Sequence, residues 1–271
     1  MKTAVVLLAI ALSAPVAAQD RLPPIDRFDL GVGLYAADHD LDTRWDASDG
    51  SRGARVDFQR DLGFADRQDA LAWRIGGSLG TARRHTFDAF GYDYDDTSMR
   101  VLDRMLEIGD NVYPVDASFE GRLDLDITGV AYTWMFLHDG RQAAGIGLGA
   151  MRYDIRADLD ASATLAGTPA AYANDLSEDA WAPMLRAEYV RSLSMRWRWG
   201  AALAYTRKNG GAVSGDAFDA QVALDYLPWR HLGFSLRYNY NNVDLDLRRT
   251  RFDGNIHLNN RGPQLLTLFR F

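Results

Sequence analysis

Apolar and polar side chains alternate along most of this chain with a period of two, the signature of strands with one greasy face. Phe28, Leu30, Val32 and Leu34 share a face, with Asp29, Gly31, Gly33 and Tyr35 opposite. The same rhythm recurs in Leu71–Leu79, Trp181–Tyr189, Trp197–Tyr205, Phe218–Tyr226, Leu232–Tyr240 and finally Leu265–Phe271. Beyond the first 18 residues no run approaches the 18 or so consecutive apolar residues of a membrane helix. The elements predicted are therefore strands throughout, in an all-β chain.

Aromatic residues decide between a soluble sandwich and a membrane barrel, since one-sided strands occur in both. Trp181 and Tyr189, Trp197 and Tyr205, and Phe218 and Tyr226 bracket their apolar runs at a common spacing of eight residues. Eight residues rise ~26 Å along a strand, and a tilt near 40° projects that to ~20 Å, close to the apolar band between the aromatic girdles of an outer-membrane barrel. With Phe269 and Phe271 these six form the expected membrane girdle. The opposite face carries Arg74, Arg186, Glu188, Asp219, Asp225 and Arg237, expected to point into a lumen as an ionic network.

Connections sort by length. Short ones fall near 81–85, 137–141, 193–196 and 227–231, with Asp139-Gly140 a strong hairpin turn and Pro228 suited to a turn because it cannot donate to a ladder. Longer polar stretches lie near 38–69, 94–118, 160–178, 207–215 and 248–254. Short turns on one side and long loops on the other are the outer-membrane asymmetry. Five strands starting near 28, 86, 142, 197 and 232 and five near 70, 119, 180, 216 and 255 give a closed antiparallel up-and-down transmembrane β-barrel of about ten strands. Eight or twelve remain open, because Gly53–Phe64 could supply an extra hairpin. Leu123, Leu125 and Ile127 are odd-numbered, whereas Val130, Tyr132, Trp134 and Phe136 are even-numbered. That change of phase implies a bulge or an external segment with different packing. The Phe87–Tyr94 strand has no readable phase.

The N-terminus adds a compartment. Lys2, the apolar stretch Ala4–Leu12 and the small residues Val16-Ala17-Ala18 fit a secretory signal peptide over residues 1–18. A periplasmic segment, 19–27, and the barrel, 28–271, would follow. The formal charge is −7, one unit more negative without Lys2, which leaves no basic footprint for nucleic acid. Lys2 and Lys208 are the only lysines. Arginine's fork geometry suits phosphate and hence lipopolysaccharide, although genomic base composition explains the same bias. With no cysteine in the sequence, disulfides are excluded as a source of stability.

Taken with the terminal aromatic strand, these features resemble small single-chain outer-membrane β-barrel proteins of proteobacteria, the broad OmpA/OmpX-like superfamily. VDFQRDLGF (Val56–Phe64), EIGDNVYP (Glu107–Pro114) and GPQLLTLFRF (Gly262–Phe271) look closer still to an uncharacterised group of such proteins. The resemblance implies location in the bacterial outer membrane, lipid and lipopolysaccharide as surroundings, and insertion by the barrel-assembly machinery. It carries no functional residues with it.

Chemistry is thinly signalled. Gly76-Gly77-Ser78-Leu79-Gly80 matches a nucleophile elbow, but no helix follows the strand, so Ser78 reads as a packing residue. Gly145-Ile146-Gly147-Leu148-Gly149 lacks the strand–turn–helix of a dinucleotide loop. His85, His138 and His231 fall at periplasmic turns. His39 and His257 belong to the external half, where Asp38, Asp40, Asp93, Asp95 and Asp96 supply carboxylates that could serve a general base. The omptin protease pattern is not found around them, and no loop has EF-hand spacing. The sequence therefore favours a non-enzymatic surface or structural barrel, or a narrow small-solute channel, needing no cofactor or metal. An outer-membrane barrel enzyme, a protease or lipid-modifying enzyme with its site in the external loops, is the alternative.

Overall fold

A computed structural model describes residues 22–46, 55–108, 111–165, 168–210, 213–248 and 253–271. The predicted signal peptide lies outside the described residues. Ten long strands form the wall: β1 (Phe28–Asp46), β3 (Arg67–Leu79), β4 (His85–Val101), β7 (Ser118–His138), β8 (Gln142–Leu165), β9 (Thr168–Ser192), β10 (Trp197–Lys208), β11 (Val213–Tyr226), β12 (Leu232–Arg248) and β13 (Asp253–Arg270). Three short strands, β2 (Arg55–Asp57), β5 (Leu106–Ile108) and β6 (Asn111–Tyr113), are accessory.

Every long strand pairs antiparallel with its neighbours in sequence, and β13 pairs with β1 to close the cylinder. Closure satisfies the backbone groups that an edge would leave unpaired. The count is thus ten. Of the stretch Gly53–Phe64, the described residues 55–64 add no spanning hairpin: β2 is three residues laid against β1, and the turn after it folds back over the external mouth.

Short turns join the strands at one end, as the pattern predicted. The other end differs from expectation, because strand fills most of the stretches read as long polar loops. β8 and β9 run 24 and 25 residues and stay paired from Gln142↔Arg191 to Leu165↔Thr168. A tilted crossing needs only about 9–11 residues, so the wall continues well beyond the apolar band.

That continuation explains the odd–even change in β7. Its alternation never breaks there: Leu123, Leu125, Ile127, Ala131, Thr133 and Met135 are all buried on the inner side. The one register shift against β8 lies between Met135 and Leu137, at the short-turn end. What changes is which side is apolar. Near the short turns the outer face is greasy, with Val130, Tyr132, Trp134 and Phe136 exposed. Past Thr128 the outer face turns polar (Asp126, Asp124, Arg122) and the inner face apolar. β1 inverts between Leu34, which is 59% exposed, and the buried Tyr35, and β12 inverts between Tyr240 and Val243. Each of these strands thus presents apolar side chains outward near the short turns and buries a water-excluding core inward beyond them.

The external core is packed with Leu41, Leu123, Leu125, Ile127, Ile155, Leu159, Leu245, Ile256 and Leu258. Val56, Phe58, Leu62 and Phe64, from β2 and the turn after it, close it from above. Asp61, whose side chain is almost fully buried, ties down this cap through Arg60 (3.1 Å) and Arg104. Burial pushes the Asp61 carboxyl up, but the two guanidiniums outweigh it and hold it below the ordinary carboxylate range.

Candidate functional site

Three layers fill the lumen. The lowest is ionic and draws on almost every strand. Arg74 of β3 bridges Asp29 of β1 (3.2 Å) and Asp88 of β4 (2.6 Å). Arg186 pairs with Glu188 on β9 (3.2 Å) and lies 5.6 Å from the centre of the Phe90 ring. Arg198 of β10 holds Asp225 of β11 and Asp26 of the N-terminal segment, each at 2.9 Å. Ser235 donates to Asp225 (2.6 Å) and accepts from Arg237 (3.0 Å), which also donates to Gln221 (3.1 Å). These groups surround a cavity of about 70 Å³, room for a few waters.

Of the six lumen residues expected from sequence, five lie in this layer. Asp219 stands apart: it accepts from Asn241 at 2.5 Å, one level higher. Among the described residues Arg237 has no carboxylate in salt-bridge contact and is held by neutral partners. The sequence reading missed Asp26, Asp29, Asp88, Arg198 and Arg270. Arg198 and Arg270 sit in the inward phase of readable strands, so that signal was present. Asp88 lies on the strand whose phase could not be read.

The middle layer is aromatic and polar. His39 stacks on Tyr94 with ring centres 4.1 Å apart and hydrogen-bonds Asn260, which in turn donates to the Tyr92 hydroxyl (3.4 Å). Tyr35 meets Tyr92 edge-on at 5.0 Å. Burial holds the His39 ring below the ordinary histidine range against the opposing pull of Asn260, Asp38 and Asp96. His39 and Tyr94 are both buried in this stack. Above it comes the apolar core and its cap.

The residues expected to form a girdle lie on the wall's outer face. Trp181, Tyr189, Trp197, Tyr205, Phe218, Tyr226, Phe269 and Phe271 all project outward. Trp197 packs against Tyr226 at 4.6 Å and Phe271 against Phe28 at 6.0 Å, one at the short-turn end of the band and one across the closing seam. Above the band, Asp93, Asp126, Asp154 and Asp179 occupy one cross-strand row, with Arg152 joining Asp154 and Asp179.

One histidine does meet a carboxylate in the external half. His257 Nδ1 lies 2.6 Å from Asp244 Oδ1 on the neighbouring strand. Both point outward, beside an open cleft of about 180 Å³ that Arg44, Arg55, Asp42 and Asn255 also line. The aspartates singled out with it do not join: Asp38 binds Arg67 (2.8 Å), and Asp96 accepts from the backbone of Ala65 (2.8 Å). The three turn histidines stay at the short-turn end. Among the described residues no cluster of three or more metal-ligating side chains occurs.

The two glycine-rich decoys are structural. Ser78 donates to the Asp26 carbonyl (2.7 Å). Gly147 and Gly149 face inward where β7 and β8 run so close that a Cβ would collide with the Tyr132 and Val130 carbonyls.

No family model matches this chain, and no curated protein is similar to it in sequence. Among solved structures, one outer-membrane barrel superposes well and others only weakly. The outer membrane protease OmpT from Escherichia coli superposes with a TM-score of 0.58 at 11% identity, covering 94% of this chain and 99% of that one. A Pseudomonas aeruginosa FadL homologue gives 0.37 at 11% identity, with 91% of each chain covered. The NalP translocator domain from Neisseria meningitidis gives 0.31 at 11%, covering 89% and 88%. The fold is that of bacterial outer-membrane barrels. The narrower OmpA/OmpX-like resemblance finds no support among these matches.

Proposed function

We propose that this chain is a closed, non-conducting barrel of the bacterial outer membrane that acts as a surface platform, structural or adhesive, through its strand-built external half. One observation carries the reading: among the described residues the lumen is filled by ion pairs, then by stacked aromatics, then by an apolar core under a cap. A conduit needs a continuous wet path, and a cavity of about 70 Å³ beneath a close-packed core is not one. The outward apolar band between aromatic residues fits a bilayer. Arg152, on the outer face above it, offers a guanidinium of the kind that binds lipopolysaccharide phosphates. Export by a signal peptide over residues 1–18 and insertion by the barrel-assembly machinery belong to the same proposal.

Planar-bilayer recording of the refolded protein tests it. The expected trace stays at baseline, and reproducible unitary steps would overturn the closed reading. The platform role predicts that removing residues 106–113, the β5–β6 hairpin, lowers cell or matrix binding while the barrel still folds. Unchanged binding after that and equivalent external trims would discard it.

A second reading, a barrel enzyme, is favoured by the His257–Asp244 pair. An aspartate accepting from Nδ1–H leaves Nε2 as a base, and Arg44 beside it could steady an anionic group. Turnover of ester or peptide substrates that disappears in His257→Ala would establish it.

A further inference from the structure

Residues 19–27 are expected to form a periplasmic segment before the first strand. Of these, 22–27 enter the barrel mouth. Leu22 is buried, and the wall grips three consecutive carbonyls: Pro24 by Arg198 (3.3 Å), Ile25 by Arg83 (2.6 Å) and Asp26 by Ser78 (2.7 Å). Arg83 reaches inward from a turn position with φ of 48°, a left-handed conformation that non-glycine residues adopt rarely. The Asp26 side chain, 3% exposed, sits between Arg198 of β10 and Arg270 of β13.

The geometry points to a built-in stopper. The segment Leu22–Arg27 closes this mouth and occludes the ionic cavity behind it, with Asp26 as the catch. Pro24, Ile25 and Asp26 form one wall of that cavity, and Arg74, Asp225 and Arg237 stand behind them. Arg198 keeps Asp225 when the segment leaves, but among the described residues Asp26 is the only carboxylate on Arg270. Withdrawal therefore strands a buried guanidinium, which is costly where water is scarce. Arg270 also lies on the strand that closes against β1, opposite Asp29, so the catch fastens the seam and the mouth together.

The sequence contains no cysteine, so a single introduced thiol reports cleanly. Ala223→Cys places it on the cavity wall, and Met195→Cys places a control on an exposed turn. A small charged thiol reagent is applied to the refolded protein in detergent. With Asp26 intact, the cavity thiol reacts at least about tenfold more slowly than the control, and Asp26→Ala removes most of that difference. Asp26→Asn, which keeps the side-chain volume, gives the same reading if the alanine variant does not refold. The stopper is disproved if Ala223→Cys reacts as fast as the control with Asp26 present. Protection that survives both Asp26 variants and deletion of residues 22–27 disproves it equally. The inference rests on the closed-lumen reading only for the name of the compartment it faces. Labelling reports occlusion at this mouth, whereas conductance reports a path through the whole barrel, so the two can fail separately.

Discussion

Replacing Leu185 by arginine probes the inversion of faces directly. Leu185 lies on β9 midway between the girdle residues Trp181 and Tyr189, points outward and is 59% exposed. Its cross-strand neighbour Leu148 is equally outward. An arginine facing lipid at the midplane of a barrel costs ~2–4 kcal/mol, which is about 30- to 700-fold in the folding equilibrium. Ser177, eight residues earlier in the same strand on the same outer face, stands beyond the band. There arginine is expected to change stability by no more than about 0.5 kcal/mol. On the inner side the order reverses: Ile155, buried in the external core, should cost more than about 4 kcal/mol as arginine, through an unpaired buried charge in a packed site. Reversible urea unfolding in lipid vesicles, read by tryptophan fluorescence, measures all three. Equal costs at Leu185 and Ser177 would refute the assignment of the band, and a tolerated Ile155→Arg would refute the inversion.

Other consequences follow from single contacts. Leu125→Ala in the external core should cost ~2–5 kcal/mol by the same unfolding assay, because the packed site cannot collapse fully around the void. Arg198→Ala leaves the buried Asp225 and Asp26 without their shared cation and should cost ~3–5 kcal/mol, whereas Arg67→Ala, paired with an exposed Asp38, should change stability by less than about 1 kcal/mol. The Asp61 carboxyl is held below its ordinary value of ~3.9, so its stabilisation of the cap is complete above that value and is lost as pH falls through the folded-state value beneath it. Protease cleavage within residues 55–65 should therefore rise at acidic pH, and Asp61→Asn should raise it at neutral pH and flatten the pH profile. A cap equally resistant at both pH values would argue against the clamp.

Strand identity was legible because alternation is a property of neighbouring residues. The onsets expected near 28, 86, 142, 197 and 232 lie within a residue of those observed. The far ends were misread for a physical reason. Above the band the outer face carries Asp and Arg and the inner face sets small Ala among larger apolar residues, so a stretch such as 160–178 has loop-like composition although the backbone of 160–165 and 168–178 remains in the ladder. The odd–even change in β7 looked like a break in the strand, when the strand had kept its phase and its surroundings had changed.

The lumen divides the same way. That Arg74, Arg186, Glu188, Asp225 and Arg237 face inward follows from their parity against exposed apolar neighbours. Which of them touch does not. Asp26 reaches Arg270 across 244 positions of chain, a contact that exists only because β13 closes on β1 with a particular stagger. His257 meets Asp244 because the β12–β13 register sets them side by side. Side-chain period is local and is written in the sequence. The partner across a closed cylinder depends on strand number and shear, which no single segment encodes.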